Sequence, residues 1–404
     1  MKLGIFFLVL GYFLSQFYRS FLAVLTPVLA TDIGAQPADL SFASGLWFLV
    51  FAAMQIPVGW ALDRFGPRLT TSVLLLLGGG GGAIVFALAQ GPGAVQLAMA
   101  LFGLGGAPVL MGSYYIFARM YPQAMFATLA GAMIGFGSAG NLVASAPLSW
   151  AVNNFGWRET MWGLAVVAAL VAGALLAALR DPPRQADEAQ AKGSLLSLVT
   201  NRDLFVLFPL MLFNYAPAAG LRGLWAGPYF RDVFGLDQTG IGNATLAMAI
   251  AMALGNFIYG PAERLFGSKK RVVLGGNLLG AALLIVLWAK PDMGWMSSVI
   301  LFTAIGFFGA SFPVIMAHGQ LFMPRHLTGR GITLLNLFGV GGVALMQFLT
   351  GLMARSLPRG QAAPADFYGQ IFLLFGLSLL VGCVIYAFSR EPYIEAPSKG
   401  NGTD

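Results

Sequence analysis

Two arginines stand where a chain of this composition has least room for a charge. Arg19 lies inside the apolar run Ile5–Ala30 and Arg222 inside the run Leu204–Phe230. A guanidinium is planar and permanently charged, and its N–H fork matches the oxygens of carboxylate, phosphate or sulfonate. Arg19 precedes Ala30 by 11 residues and Arg222 precedes Arg231 by 9, so both fall at similar depth in their runs. All 16 Asp and Glu residues can be assigned to loops, run ends or tails. A charge deep in hydrocarbon costs at least about 2.5–3.5 kcal/mol and needs a partner. With no acid at that depth, the pair reads as a clamp for the negative charge of a small solute. A structural reading stands beside it, in which Arg222 snorkels to one face and Arg19 bonds backbone carbonyls.

Other polar groups fall on the same runs. Tyr12, Ser15, Gln16, Arg19 and Thr26 make one helical stripe. Tyr114 and Tyr115 share a run, Asn214 and Tyr215 precede Arg222, and Asn336 and Gln347 are three turns apart. His318 is the only histidine within a run and titrates near neutral pH unless perturbed. It is either a proton carrier or a neutral hydrogen-bonding group. The substrate-contact set is Arg19, Arg222, Tyr115, Tyr215, His318 and Asn336. No Ser/His/Asp, Cys/His or paired-carboxylate constellation lies within the runs, and no phosphate-cradling glycine loop is present. Neither an enzyme nor an ATP-driven machine is expected, and no cofactor or resident metal.

The elements that must hold these residues are apolar helices in lipid. Of the 404 residues, 58% are hydrophobic and 10% charged, against about 25% charged in soluble domains. Six runs fill the first half: Ile5–Ala30, Ser41–Trp60, Leu69–Gln90, Ala94–Ala118, Ala124–Trp150 and Thr160–Leu179. Six fill the second: Leu204–Phe230, Thr239–Tyr259, Val272–Ala289, Gly294–Phe322, Gly331–Ala354 and Tyr368–Phe388. Each is long enough to cross roughly 30 Å of hydrocarbon as a helix. They lack the period-2 alternation of barrel strands. Small residues inside them, as in Gly131-x3-Gly135, suit close helix packing.

Charge sets the orientation. With both termini cytoplasmic, 16 basic residues fall on the cytoplasmic side and five opposite, as the positive-inside rule requires. The net charge of +7 is therefore a topology signal, and no nucleic-acid partner is expected. The single cysteine, Cys383, excludes an intrachain disulfide, and the first run is too long for a cleavable signal. The polar stretch 181–203 links a bundle at 1–180 to a second at 204–390, followed by a polar tail at 391–404 expected to be disordered and cytoplasmic. The halves look duplicated. Pro27 and Pro228 are 201 apart, as are Gly59 and Gly260, and Arg19 and Arg222 are 203 apart. Such duplication accompanies sites near mid-membrane, between the repeats.

Between the second and third runs the sequence reads Gly59-Trp-Ala-Leu-Asp63-Arg64-Phe-Gly66-Pro-Arg68. This resembles the signature loop of the major facilitator superfamily, Gly-x-x-x-Asp-Arg-x-Gly followed by basic residues. A looser copy with one extra residue carries Glu263 and Arg264 between the eighth and ninth runs. The resemblance covers residues 1–390 and implies an all-α membrane protein, two pseudo-symmetric six-helix bundles that move a solute by alternating access. A monomer in a bacterial inner membrane is expected. In such a loop Gly59 allows close helix crossing and Asp63 meets the positive end of a helix in the other half. Arg64 and Arg68 anchor the loop on the cytoplasmic face. Gly59, Asp63, Arg64, Gly66, Arg68, Glu263 and Arg264 thus form the expected conformational latch. Some organic-anion branches of the superfamily carry arginines in the first and seventh helices, which implies an anionic substrate here. Met248-x3-Met252 weakly resembles a copper-importing branch, but the His-x3-Met pair of that branch is missing, and two buried arginines oppose a bare cation. A neutral metabolite, or a non-transporting sensor or assembly factor with the same fold, are the remaining alternatives. Protons could couple only through His318.

Overall fold

The computed structural model describes residues 2–121, 123–182, 198–323, 328–356 and 364–390. Most of the linker, with Arg184 and Lys192, His326 and the tail 391–404 lie outside the described residues. Among those described, every regular element is helical, because a helix satisfies its own backbone groups where no water is available. Among the described residues, nine helices are long and apolar enough to cross a membrane. A bent pair, Leu3–Tyr18 with Leu22–Asp32, makes a tenth, and two shorter apolar helices, Pro37–Ala53 and Ala132–Val143, complete the twelve.

Spans 1 to 6 are Lys2–Tyr18 with Leu22–Asp32, Pro37–Ala53 continuing through the part of Gln55–Leu74 that precedes Gly66, the helix from Pro67 to Ala87, Pro92–Met120, Gln123–Val143 with Ala146–Phe155, and Trp157–Ala178. Gly66 separates spans 2 and 3 inside one continuous assignment. Its φ of 82° is a left-handed conformation that only glycine adopts without strain. Spans 7 to 12 are the broken helix Arg202 to Phe234, then Gln238–Phe266, Lys269–Ala289, Trp295 to Gln320, Thr328–Ser356 and Pro364–Tyr386. Span 7 thus begins inside the stretch assigned to the linker. Large apolar side chains such as Leu170, Phe257 and Val384 point outward, as they must where lipid is the solvent.

The helices that carry the polar stripe are irregular at one depth. Span 1 bends by 53° between Tyr18 and Leu22. Span 5 breaks at Ala144 and Ser145, just before Pro147. Span 7 changes to helix Ala216–Gly220 after Tyr215, then to a π-segment at Leu221–Trp225. Breaks of this kind come from prolines and from side chains that take over backbone partners, and in membranes they are tolerated where they line a cavity.

The two halves grip each other at the face opposite the Gly59–Arg68 loop. Span 2 packs along span 11. There Asp39 pairs with Arg355 at 3.4 Å, and the Arg355 guanidinium lies 4.2 Å from the Phe42 ring centroid. Gln347 donates to Ser44 at 3.1 Å, and Ser41 bonds the Gln347 backbone carbonyl. Span 5 meets span 8 through Ser149 and the Gln238 carbonyl, 2.8 Å apart. Span 7 lies on span 1, with Gly227 against the Ala23 carbonyl and Gly223 against that of Arg19. Pro27 has no N–H, so the Ala23 carbonyl lacks its helical partner and faces this crossing. Among the described residues, the polar contacts between halves run from mid-depth to this face.

Of the expected Gly131-x3-Gly135 crossing, Gly135 makes no close approach, and the surroundings of Gly131 lie outside the described residues. Nothing lies within 4 Å of a Cβ placed at Gly135. The close approaches of span 5 are made by Gly137 under the Tyr12 ring and by Gly140 against the Phe13 carbonyl. A spacing of four marks a smooth stripe, but its direction depends on how the helix is turned toward span 1.

Candidate substrate site

The bend in span 1 leaves Arg19 between two helical segments. Its Nη2 donates to Gln16 Oε1, its Nη1 lies 3.4 Å from the Tyr215 hydroxyl, and its guanidinium sits 5.4 Å from the Trp47 ring centroid. The π-segment of span 7 carries Arg222, which is 4% exposed. Its Nη2 donates across the interface to Asn141 of span 5, to the backbone carbonyl at 3.0 Å and to Oδ1 at 3.2 Å. That carbonyl lacks its helical N–H partner because the span 5 break redirects the donor: the Ser145 N–H bonds Leu142 instead, and within span 5 the Ser145 hydroxyl reaches it, at 3.3 Å. Ser20 Oγ donates to Asn141 Oδ1 at 2.6 Å, and Asn141 Nδ2 to Gln16 Oε1 at 3.3 Å. Gln16 in turn donates to Tyr12.

Both arginines therefore border one cleft, lined also by Ser20, Asn141, Tyr215, Ala219, Gly223 and Met252. No carboxylate lines it among the described residues. Its free volume of about 10 Å³ admits little more than a water molecule. The two charges are held by amide, carbonyl and phenol oxygens, which are neutral acceptors. A ligand bearing formal negative charge would make shorter and stronger bonds to the same donors.

Other expected contacts lie elsewhere. Tyr115 stacks beneath Arg119, 3.6 Å from its guanidinium carbon. Asn336 is half-buried in span 11 and does not border the cleft. His318 is fully buried at the loop-face end of span 10. Its Nε2 lies 2.9 Å from the Arg390 carbonyl, an acceptor, and its Nδ1 2.7 Å from the Tyr386 hydroxyl. The carbonyl can only accept, so it fixes a proton on Nε2, and the ring ties span 10 to the end of span 12. Asn214 bonds Asn277 at 2.7 Å and Ser311 at 2.8 Å inside the second half. Met248 and Met252 both pack on Gly306.

In the loop, Arg64 stacks on Trp60 at 5.2 Å. The Arg68 N–H donates to Asp181 at 2.8 Å, and Arg68 Nε to the Leu176 carbonyl at 2.6 Å. Asp181 also fills the space beside Gly66, so the turn is tied to the end of span 6. Asp63 is exposed, and nothing lies within 4 Å of a Cβ at Gly59. Hence no close crossing is made at Gly59 in this conformation. Glu263 and Arg264 lie in the helix Gln238–Phe266, and their side chains are outside the described residues.

Asn141 and Asp181 are the residues that sequence reasoning passed over. For Asn141 the signal was an amide six residues before Pro147; for Asp181 it was an acid at the first step out of span 6, followed by two prolines.

The whole chain matches known proteins in kind. A family model for the Major Facilitator Superfamily matches residues 8–225 and again 207–403. Among solved structures, the fold is similar to a D-xylose–proton symporter, with TM-score 0.76 at 16% identity over 96% of this chain and 97% of that one. It is also similar to a nucleoside transporter, with TM-score 0.73 at 15% identity over 96% and 98%. A bacterial homolog of the human lysosomal transporter Spinster, in an inward-facing and occupied conformation, gives 0.73 at 17% identity over 95% and 96%. No curated protein matches the sequence significantly. The likeness to the solved structures is one of fold. The family match spans both halves, and the chain belongs to the Major Facilitator Superfamily.

Proposed function

We propose that this transporter carries a small organic anion, bound between Arg19 and Arg222, by alternating access. One observation carries the reading: two guanidiniums from corresponding helices meet at one cleft that, among the described residues, no carboxylate lines. The conformation supports the same mechanism. The halves are joined at the face opposite the basic loops, which the positive-inside rule makes the non-cytoplasmic face. On that reading the cleft opens toward the cytoplasm. Both termini and the linker 181–203 are cytoplasmic, and the bundles 1–180 and 204–390 rock about the cleft. Tyr215 completes the contact set. Tyr115 and Asn336 stand farther along the path, and His318 serves the fold rather than proton transfer. The protein acts as a monomer in a bacterial inner membrane.

The test is a thermal-shift screen against carboxylates, phosphate esters, sulfonates, neutral sugars and monovalent and divalent cations. A ligand of the native state raises apparent stability. The expected hit is an anion. Lysine retains the charge but not the fork, so Arg19→Lys and Arg222→Lys are each expected to weaken that anion about tenfold or more, a loss of about 1.4 kcal/mol. Unchanged affinity in both, or a sugar or bare cation as the sole hit, would overturn the reading.

The loop gives a second expectation. Asp63 is disengaged in this conformation and is proposed to engage when the cytoplasmic side closes, at the positive end of a helix in the other half. Asp63→Asn is expected to leave folding and anion affinity intact. It should lower counterflow of the bound anion several-fold, since a helix-end charge is worth about 0.3–2 kcal/mol. Wild-type counterflow would reduce the loop to a topology signal.

A further inference from the structure

In the cleft, Arg222 is held by a residue of the opposite half. Its Nη2 bonds the Asn141 carbonyl at 3.0 Å and Asn141 Oδ1 at 3.2 Å, while Ser20 Oγ donates to the same Oδ1 at 2.6 Å. Asn141 Oδ1 thus occupies the position of one ligand oxygen, taking hydrogen bonds from both sides of the cleft. Gln16 Oε1 stands in the same relation to Arg19, and Asn141 Nδ2 holds Gln16 in place. These two amides give the arginines acceptors when nothing is bound. They are neutral, so an oxyanion outcompetes them for the same N–H groups. The bond they give up also matters: Arg222 belongs to the second half and Asn141 to the first.

We infer that Asn141 is a built-in competitor of the substrate, which holds Arg222 and ties the halves together until an anion takes its place. This rests on the anion reading above and adds to it how binding loosens the interface. The ligand must carry at least two oxygens on one anionic group, to replace both Asn141 Oδ1 and Gln16 Oε1. Its differential affinity for the untied state is what drives the halves apart.

Asn141→Asp and Asn141→Leu separate the possibilities. Aspartate puts a carboxylate on Arg222, and leucine removes the side-chain acceptor while the backbone carbonyl remains. The primary readout needs no ligand. Spin labels at Thr31 and Ser356 report the distance across the face where the halves are joined. Asn141→Asp is expected to narrow the distribution at the short distance, and Asn141→Leu to add a longer component. Wild-type distributions in both variants would overturn the inference, whatever binds. The second readout is a titration with pyruvate and with inorganic phosphate, which share the oxyanion and differ in geometry. Whichever binds the wild type should bind Asn141→Asp on the order of a hundredfold more weakly, because a buried ion pair must be broken. Equal affinity in wild type and Asn141→Asp, with affinity lost in Arg222→Lys, would sink the role of Asn141 and leave the clamp standing. Shifted distances in the variants, with neither probe nor any anion of the screen bound, would sink the clamp and the competition together and leave Asn141 as no more than a tie between the halves.

Discussion

Gly227→Leu is expected to hold the transporter open on the face where its halves now meet, and so to stop its cycle. Gly227 of span 7 lies against the Ala23 carbonyl of span 1, and a Cβ there would come under 3.0 Å from backbone atoms. Backbone cannot rotate away as a side chain can, so relief requires the helices to separate. Overpacking of this kind costs about 1–3 kcal/mol. Applied to the closed state alone, that shifts the closed-to-open ratio by about 5- to 150-fold. The contact joins the two halves and belongs to neither bundle's core, so each half should still fold. Spin labels at Thr31 and Ser356 are expected to show the long distance dominating in Gly227→Leu and an intermediate mixture in Gly227→Ala. Gly59→Leu, where nothing lies within 4 Å, serves as the comparison and should leave the closed state in place. A wild-type distribution in Gly227→Leu would mean that this crossing does not set the closed state.

The reasons for such contacts also mark where sequence reasoning stops. Span lengths were legible because lipid imposes one rule on every run: Trp157–Ala178 needs about 30 Å of apolar helix whatever its neighbours are. Arg19 and Arg222 were legible for the same reason, since a charge in such a run calls for an account. Asn141 was not, because a neutral amide in a span is cheap and ambiguous. Its place in the cleft depends on a break before Pro147 that frees its carbonyl. Gly131 and Gly135 had the right spacing, but span 5 turns Gly137 and Gly140 toward span 1. His318 looked like a cavity group by type and depth. The Arg390 carbonyl that fixes its proton lies 72 residues away, beyond any local pattern. Asp63 belongs to another class. The partner proposed for it would be met in one conformation and released in the other, so a single state shows only one of its environments.

Arg222→Met is expected to make the empty protein more stable and unable to bind its anion. Arg222 is 4% exposed and bonded only to neutral oxygens of Asn141 in the contacts described. A buried charge without an opposite charge keeps much of its desolvation cost. Replacing even paired buried charges with well-packed apolar side chains is often neutral or stabilising, by up to about 4 kcal/mol. Methionine is unbranched and adaptable, and Met252 already borders the same cleft. The Asn141 oxygens are not stranded by the change, since Ser20 still donates to Oδ1 and Ser145 Oγ to the backbone carbonyl at 3.3 Å. Thermal unfolding of the ligand-free protein should therefore shift upward, while the stabilisation produced by the anion identified in the screen disappears. Opposed signs are what separate a functional charge from a structural one. If Arg222 were a purely structural charge whose bonds to Asn141 outweigh its desolvation, its loss would lower the unfolding temperature and leave anion binding through Arg19 intact. A site kept at a cost in stability is expected where an incoming ligand supplies the missing partner.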